Sequence, residues 1–518
     1  MQNQPGVVYR HGQPGRPVPC GPSTTDLSDC PVVSPNEATK MDCLPHRPVP
    51  LSLIAAAASL LYGCDGVQKE DSPAEGTTER VSLSDGRVFQ TNGGNGDSTR
   101  TTIGVPDLTS PSPGISADGR FVVFDSTATN LVPGVNTNGR RQIYLHDRLT
   151  GLTELISVGS NGLAGNDDSA SPVVTDDGDT VVFESFASNL VFNDTNNARD
   201  IFLRRRQARS TERVSQTVQG LQALCPAAGE GCRSYDPAIS ADGTIIAFGS
   251  NARLAPDDLD NDADIYVLDR SSGPTLRRIT APLGIPQPSA THGSPAVSAD
   301  GLFVAFASNA SNLITGEPPN AVYDVFRHDR LANQLQKVSV PASGLAADGD
   351  SHGPSLSSDG RFVAFWSRAR NLLAGPQRDT GFADIYVADM QGTVPSLSRT
   401  ALGLFNQSAN GDNQYPSISR DGRFVAFLSR ADNLVPAGVD NNNFLDVYRA
   451  DRNCVLAPPQ NCEVIRISIA ISNRDVDGDS RAPVIAADPR IIAFYSDATN
   501  LVPNDTNNFR DAFVRLLQ

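Results

Sequence analysis

One nine-residue element recurs seven times at intervals of 58 to 67 residues. The copies are SADGRFVVF (Ser116 to Phe124), TDDGDTVVF (Thr175 to Phe183), SADGTIIAF (Ser240 to Phe248) and SADGLFVAF (Ser298 to Phe306). They continue as SSDGRFVAF (Ser357 to Phe365), SRDGRFVAF (Ser419 to Phe427) and AADPRIIAF (Ala486 to Phe494). A period of this length makes the chain an array of small units that bury their apolar faces against one another. The 518 residues therefore need not be several domains, although length alone would allow that. The Asp-Gly step reads as a two-residue hairpin turn of type I′, in which both central residues take positive φ. The residues that follow are apolar on consecutive positions, so this strand is buried on both faces.

Two further strands belong to each unit. One is carried by Asp200-Ile201-Phe202-Leu203, Asp264-Ile265-Tyr266-Val267, Asp384-Ile385-Tyr386-Val387 and Asp446-Val447-Tyr448-Arg449, and often ends in Asp-Arg, as at His146-Asp147-Arg148 and His328-Asp329-Arg330. The other is carried by Glu212-Arg213-Val214-Ser215, Glu154-Leu155-Ile156-Ser157 and Val464-Ile465-Arg466-Ile467. Four meandering strands per unit make a propeller blade, so the expected fold is an all-β, seven-bladed β-propeller over residues 78–518. The last unit stops after Ala512-Phe513-Val514-Arg515 and lacks its fourth strand, which is found at the other end of the chain as Glu79-Arg80-Val81-Ser82. Joining that N-terminal strand to the last blade closes the ring and removes an open sheet edge.

The S-x-D-G-x-x-[IV]-[AV]-F and D-[IV]-[YF]-x-x-D patterns resemble the TolB-like propeller repeats, which are related to WD repeats and common in bacterial envelope proteins. The resemblance covers residues 79–518. It implies a fold and not an activity, because such propellers serve protein binding, sugar lyases and the non-catalytic parts of peptidases. The chain departs from TolB in having only about fourteen residues between Cys64 and the propeller, too few for an N-terminal α/β domain. No α/β-hydrolase region with a G-x-S-x-G elbow follows the propeller, as one would in a prolyl peptidase.

Ahead of the repeats, residues 41–63 read as a lipoprotein-type signal peptide. His46 and Arg47 precede an apolar run from Leu51 to Leu61, too short to span a bilayer as a helix. The run ends in Leu61-Tyr62-Gly63-Cys64, which resembles a lipobox, with Tyr62 a departure at a position usually held by a small residue. That resemblance implies cleavage before Cys64, lipidation of Cys64 and export to the cell envelope, on the periplasmic side of a membrane or at the cell surface. The alternative is a short buried helix with an incidental cysteine. Residues 1–40 read as a disordered leader or an over-called start, and residues 64–77 as a linker. Cys225/Cys232 and Cys454/Cys462 each close a short polar loop, as local disulfides do in an oxidising compartment; a shared zinc centre is the other reading.

The formal charge is −16, and residues 1–63 contribute none of it because their acids and bases balance. Such a chain repels nucleic acid and suits metal cations or basic partners; a monomer with a protein or peptide partner is expected. The loop between second and third strands repeats D-x-N-x-x-x-D in three blades: Asp194/Asn196/Asp200, Asp440/Asn442/Asp446 and Asp505/Asn507/Asp511. The third blade has a shorter variant, Asp258, Asp260, Asp262 and Asp264, and the first, fourth and fifth have lost the pattern. Closely spaced carboxylate and amide oxygens suit Ca²⁺, although the Gly and distal Glu of an EF-hand are missing. The same residues also cap turns, and both readings stay open. Asp168, Asp350, Asp412 and Asp479 in the inter-blade loops read as solvated. His292 and His352 precede first strands of consecutive blades and are expected to share one face, where a metal-dependent lyase-like, glycan-active enzyme using the central channel would need them. No nucleophile–base set is apparent. The favoured reading is a non-enzymatic, lipid-anchored binding scaffold; the glycan-active enzyme is the alternative.

Overall fold

The computed structural model describes residues 76–83, 113–222, 231–259, 262–281, 291–316, 321–374, 381–403, 407–436, 439–453, 464–471 and 474–518, all within one compact unit, Asp71–Gln518. They form seven four-stranded antiparallel sheets. Blade 2 is typical: strands Ser169–Val174, Thr180–Ser185, Asp200–Arg205 and Ser210–Arg213 follow one another as a meander. Six blades are built from consecutive strands. The seventh takes Ser480–Ile485, Ile491–Ser496 and Asp511–Leu517 from the end of the chain and Gly76–Arg80 from its beginning. Gly76 pairs with Leu517 and Arg80 with Phe513, so the ring closes as the sequence indicates.

The consecutive apolar residues of the second strands explain the packing. Val181, Val182 and Phe183 are fully buried, and the same holds at the equivalent positions around the ring. Alternate side chains face the preceding and following blades, so one ring-shaped core is made of inter-blade clusters such as that of Val123, Ile143, Val181 and Phe183. Within each blade the second-strand phenylalanine stacks on the aromatic residue directly opposite it on the third strand, from Phe124–Tyr144 to Phe494–Phe513, with centroids 5.8–6.0 Å apart. Seven such pairs set the blade register.

The S-x-D-G element differs from the expected turn. Only its glycine has positive φ, as at Gly119 and Gly178, and Gly119 N–H donates to Ser116 C=O at 2.9 Å. This is a reverse turn followed by one left-handed residue, not type I′. The Ser Oγ donates to the Asp carboxylate and accepts the N–H of the first residue of the next strand, as Ser116 does with Asp118 and Phe121. These local bonds make the aspartate a turn clamp that needs no positive φ. The glycine also admits the neighbouring blade: a Cβ on Gly178 would lie 2.1 Å from Phe121.

The innermost strands carry a feature the repeat reading missed. A proline stands three residues before each turn serine or its equivalent (Pro113, Pro172, Pro237, Pro295, Pro354, Pro416 and Pro483). The residue before it takes φ of 52° to 59° in the six blades where it is described, at Ser171, Asp236, Ser294, Gly353, Tyr415 and Ala482. The register shifts there. A bulge of this kind belongs on an edge strand, and the innermost strand is an edge facing the central channel.

Candidate functional site

The 2–3 loops and the inter-blade loops emerge together on one face, and most of the conspicuous residues lie there. In blade 2, Asn196 Nδ2 donates to Asp200 at 2.9 Å while its Oδ1 accepts Ala198 N–H at 3.0 Å. In blade 7, Asn507 Nδ2 donates to Asp511 at 2.8 Å and its Oδ1 accepts Phe509 N–H at 3.0 Å. In blade 6, Asn442 Oδ1 accepts Phe444 N–H at 2.9 Å. The asparagines therefore fold the turn.

A fourth-strand cation stands among the carboxylates. Arg213 Nη1 is 3.2 Å from Asp194 and 3.6 Å from Asp200. Arg80 Nη1 is 2.7 Å from Asp505 and 3.4 Å from Asp511. Arg466 Nη1 lies 3.3, 3.8 and 2.8 Å from Asp440, Asp446 and Asp475, and Arg278 lies 3.5 and 3.1 Å from Asp258 and Asp264. Blades 4 and 5 keep the same pairing, Lys337–Asp324 at 2.7 Å and Arg399–Asp384 at 3.1 Å, although their loops lack the full spacing. In each of these sets the fourth-strand cation lies within ion-pair distance of the same carboxylates that a calcium ion would need. Asp260 lies outside the described residues.

Burial outweighs the nearby guanidinium in setting these titrations. It pushes Asp446 up to about 7, and Asp194, Asp264 and Asp511 up to about 6. The inter-blade aspartates, read as solvated, instead clamp the neighbouring blade. Asp168, Asp350, Asp412 and Asp479 accept the N–H of Arg141, Tyr323, Ala383 and Leu445, each at 2.8–2.9 Å. The sequence also holds an Asn-Leu pair after each second strand in most blades. Its asparagine amide donates to the inter-blade loop, as at Asn189 to Ala164 and Asn371 to Ala346, both 2.8 Å.

Both histidines stand at the same end of the propeller on consecutive blades, but their side chains are not turned the same way. Both lie inside first strands. His292 pairs with Ser308 and His352 with Trp366, one register position apart, so they project from opposite faces of their blades. His292 meets the edge of Phe306, and His352 lies between Tyr323 and Trp366 with centroids 4.6 and 4.8 Å away. Burial lowers His292 to about 3 and His352 to about 4. Among the described residues no three His, Cys, Asp or Glu side chains are grouped to hold a metal. Cys232 is buried and held in a disulfide. Cys64, Cys225, Cys454 and Cys462 lie outside the described residues, as does the whole segment before residue 76. No helix among the described residues is long and apolar enough to cross a membrane.

The same face carries exposed aromatic surface. All five exposed phenylalanines among the described residues stand on it: Phe186, Phe192, Phe382, Phe444 and Phe509, the last three 38–42% exposed and Phe192 91%. Phe382, Phe444 and Phe509 occupy one equivalent place, two residues before the third strand, in blades 5, 6 and 7.

At the opposite end of the channel, four of the residues that follow a turn serine or its equivalent donate to the next blade around the axis: Ala117 N–H to Asp176 C=O, Asp176 N–H to Ala241 C=O, Ala241 N–H to Ala299 C=O and Ser358 N–H to Arg420 C=O. Arg420 of blade 6 then reaches across the axis to form an ion pair with Asp176 of blade 2.

Neither a family model nor a curated protein matches this chain. Solved structures do. An oligogalacturonate lyase in complex with manganese aligns over 86% of this chain and 99% of its own at 12% identity and TM-score 0.46. TolB from Acinetobacter baumannii aligns over 86% and 97% at 16% identity and TM-score 0.35. Dipeptidyl peptidase 4 from Porphyromonas gingivalis aligns over 74% and 48% at 13% identity and TM-score 0.40. The likeness is one of fold alone.

Proposed function

We propose that the chain is a non-enzymatic, lipid-anchored scaffold of the cell envelope that binds a protein or peptide on the face formed by the 2–3 and inter-blade loops. The observation that carries this reading is the placement of every exposed phenylalanine of the described residues on that face. Exposed apolar surface in excess of the scattered norm marks interaction sites, and aromatic anchors supply much of the binding energy at protein interfaces. The repeats Phe382, Phe444 and Phe509 offer equivalent anchors on three successive blades. Anchoring rests on the Leu61-Tyr62-Gly63-Cys64 sequence.

The test places a photo-reactive amino acid beside Phe444, at Asn443, in the full chain and crosslinks it in intact membranes before mild detergent extraction. A discrete partner should be captured, and Phe382→Ser/Phe444→Ser/Phe509→Ser should abolish its capture without lowering the melting temperature. Recovery of the bait alone would reject the reading. Separately, Cys64→Ser should move the protein from the membrane to the soluble fraction.

A further inference from the structure

Around the ring, the acid at the start of the third strand and the cation opposite it vary together. At the first residue of the third strand stand Asp200, Asp264, Asp324, Asp384, Asp446 and Asp511 in blades 2 to 7, and Gln142 in blade 1. At the matching place of the fourth strand stand Arg213, Arg278, Lys337, Arg399, Arg466 and Arg80, and in blade 1 Leu155. The cation is present in each blade that has the carboxylate, and it is lost in the one blade that lacks it.

A hydroxyl two residues later follows the same logic. Ser215, Thr280, Ser339, Ser468 and Ser82 donate to the strand aspartate at 2.5–2.7 Å. Blade 1 keeps the bond with a neutral acceptor, Ser157 to Gln142 Oε1 at 2.6 Å. Blade 5 has Ala401 there, and Asn413 Nδ2 takes over the donation to Asp384 at 3.1 Å. In blades 2 to 7 each strand aspartate thus takes a hydrogen bond and faces a cation from within the chain.

We propose that the fourth-strand arginine or lysine is the permanent counter-cation of the acidic loops, so that the propeller holds this face together without calcium. The D-x-N-x-x-x-D spacing arises because one Asp and the strand Asp grip a guanidinium while the Asn folds the turn between them. This inference does not rest on the proposed partner binding.

The experiment follows thermal unfolding and titration calorimetry of the full chain in excess calcium chloride and in chelator. The wild-type midpoint should be the same in both, with no calcium heat. Arg466→Met leaves Asp440, Asp446 and Asp475 around an unfilled place. It should melt several degrees lower in chelator and recover part of that loss with calcium. Arg466→Leu/Asp446→Gln copies blade 1 and should melt above the single variant with no calcium response. Stoichiometric calcium binding by the wild type, or its stabilisation by calcium, would overturn the proposal. So would a double variant no more stable than Arg466→Met. Should Arg466→Met fail to fold, Arg213→Met in blade 2 serves the same comparison, and the wild-type titration stands by itself.

Discussion

The seam that closes the ring gives a quantitative expectation. Arg80 is 7% exposed and faces Asp505 and Asp511, whose side chains are 2% and 0% exposed. Replacing it with Met preserves much of the side-chain volume and leaves two buried carboxylates without their cation. Removing one partner of a buried pair costs about 3–5 kcal/mol. The orphaned carboxyls can escape part of this by binding protons. Asp511 is pushed up to about 6 by burial, above its ordinary value of 3.8. The folded state therefore takes up this proton first, and this group's contribution to stability grows as pH falls from about 6 towards 3.8. At pH 7.5 the pair is charged and the full loss should appear. At pH 5, below the wild-type value of about 6, Asp511 is mostly protonated, so the part of the loss that comes from its charge should be smaller than at pH 7.5. Urea unfolding followed by the fluorescence of Trp366, the single tryptophan, in blade 5 and far from the seam, reads the global transition. A loss below about 1 kcal/mol at pH 7.5, or equal losses at both pH values, would refute the reasoning that Arg80 acts through charge.

Three other outcomes follow from the same structure. Removing residues 76–83 strips the fourth strand from blade 7 and exposes the edge of Asp511–Leu517; a chain starting at residue 105 should melt well below the full chain and aggregate, and unchanged melting would disprove closure. Gly422→Ala places a Cβ 2.2 Å from Phe362 at φ +71°, and chemical denaturation should show a loss of more than about 1 kcal/mol. His146, His292 and His352 are lowered by burial to about 4, 3 and 4, so the unfolded chain binds their protons first and their contribution is lost as pH falls from 6.5 towards 4; His352→Phe should flatten that part of a stability–pH curve.

Seven copies of one turn-and-strand element, five of them S-x-D-G, and the displaced Glu79-Arg80-Val81-Ser82 make the blade count and the closure legible, because they are local patterns that recur at similar intervals. The turn type was misjudged because the serine hydroxyl, five residues from the N–H it accepts, stabilises an alternative that the Asp-Gly pair alone does not announce. The acidic loops are legible as runs of neighbouring oxygens, but the cations beside them are not. Arg213 stands 13 residues from Asp200, and Arg80 stands 431 from Asp511; only the fold brings each pair together. The prolines of the inner strands stand at a fixed spacing in the sequence but do not announce a strand, since proline ordinarily argues against one. The phenylalanine face could not be read at all: Phe382, Phe444 and Phe509 look like core residues until the loops place them outside.

The closing strand has a directional consequence. Because Gly76 pairs with Leu517, at the end where Arg420 spans the axis, the chain arrives at the propeller on the side away from its phenylalanines.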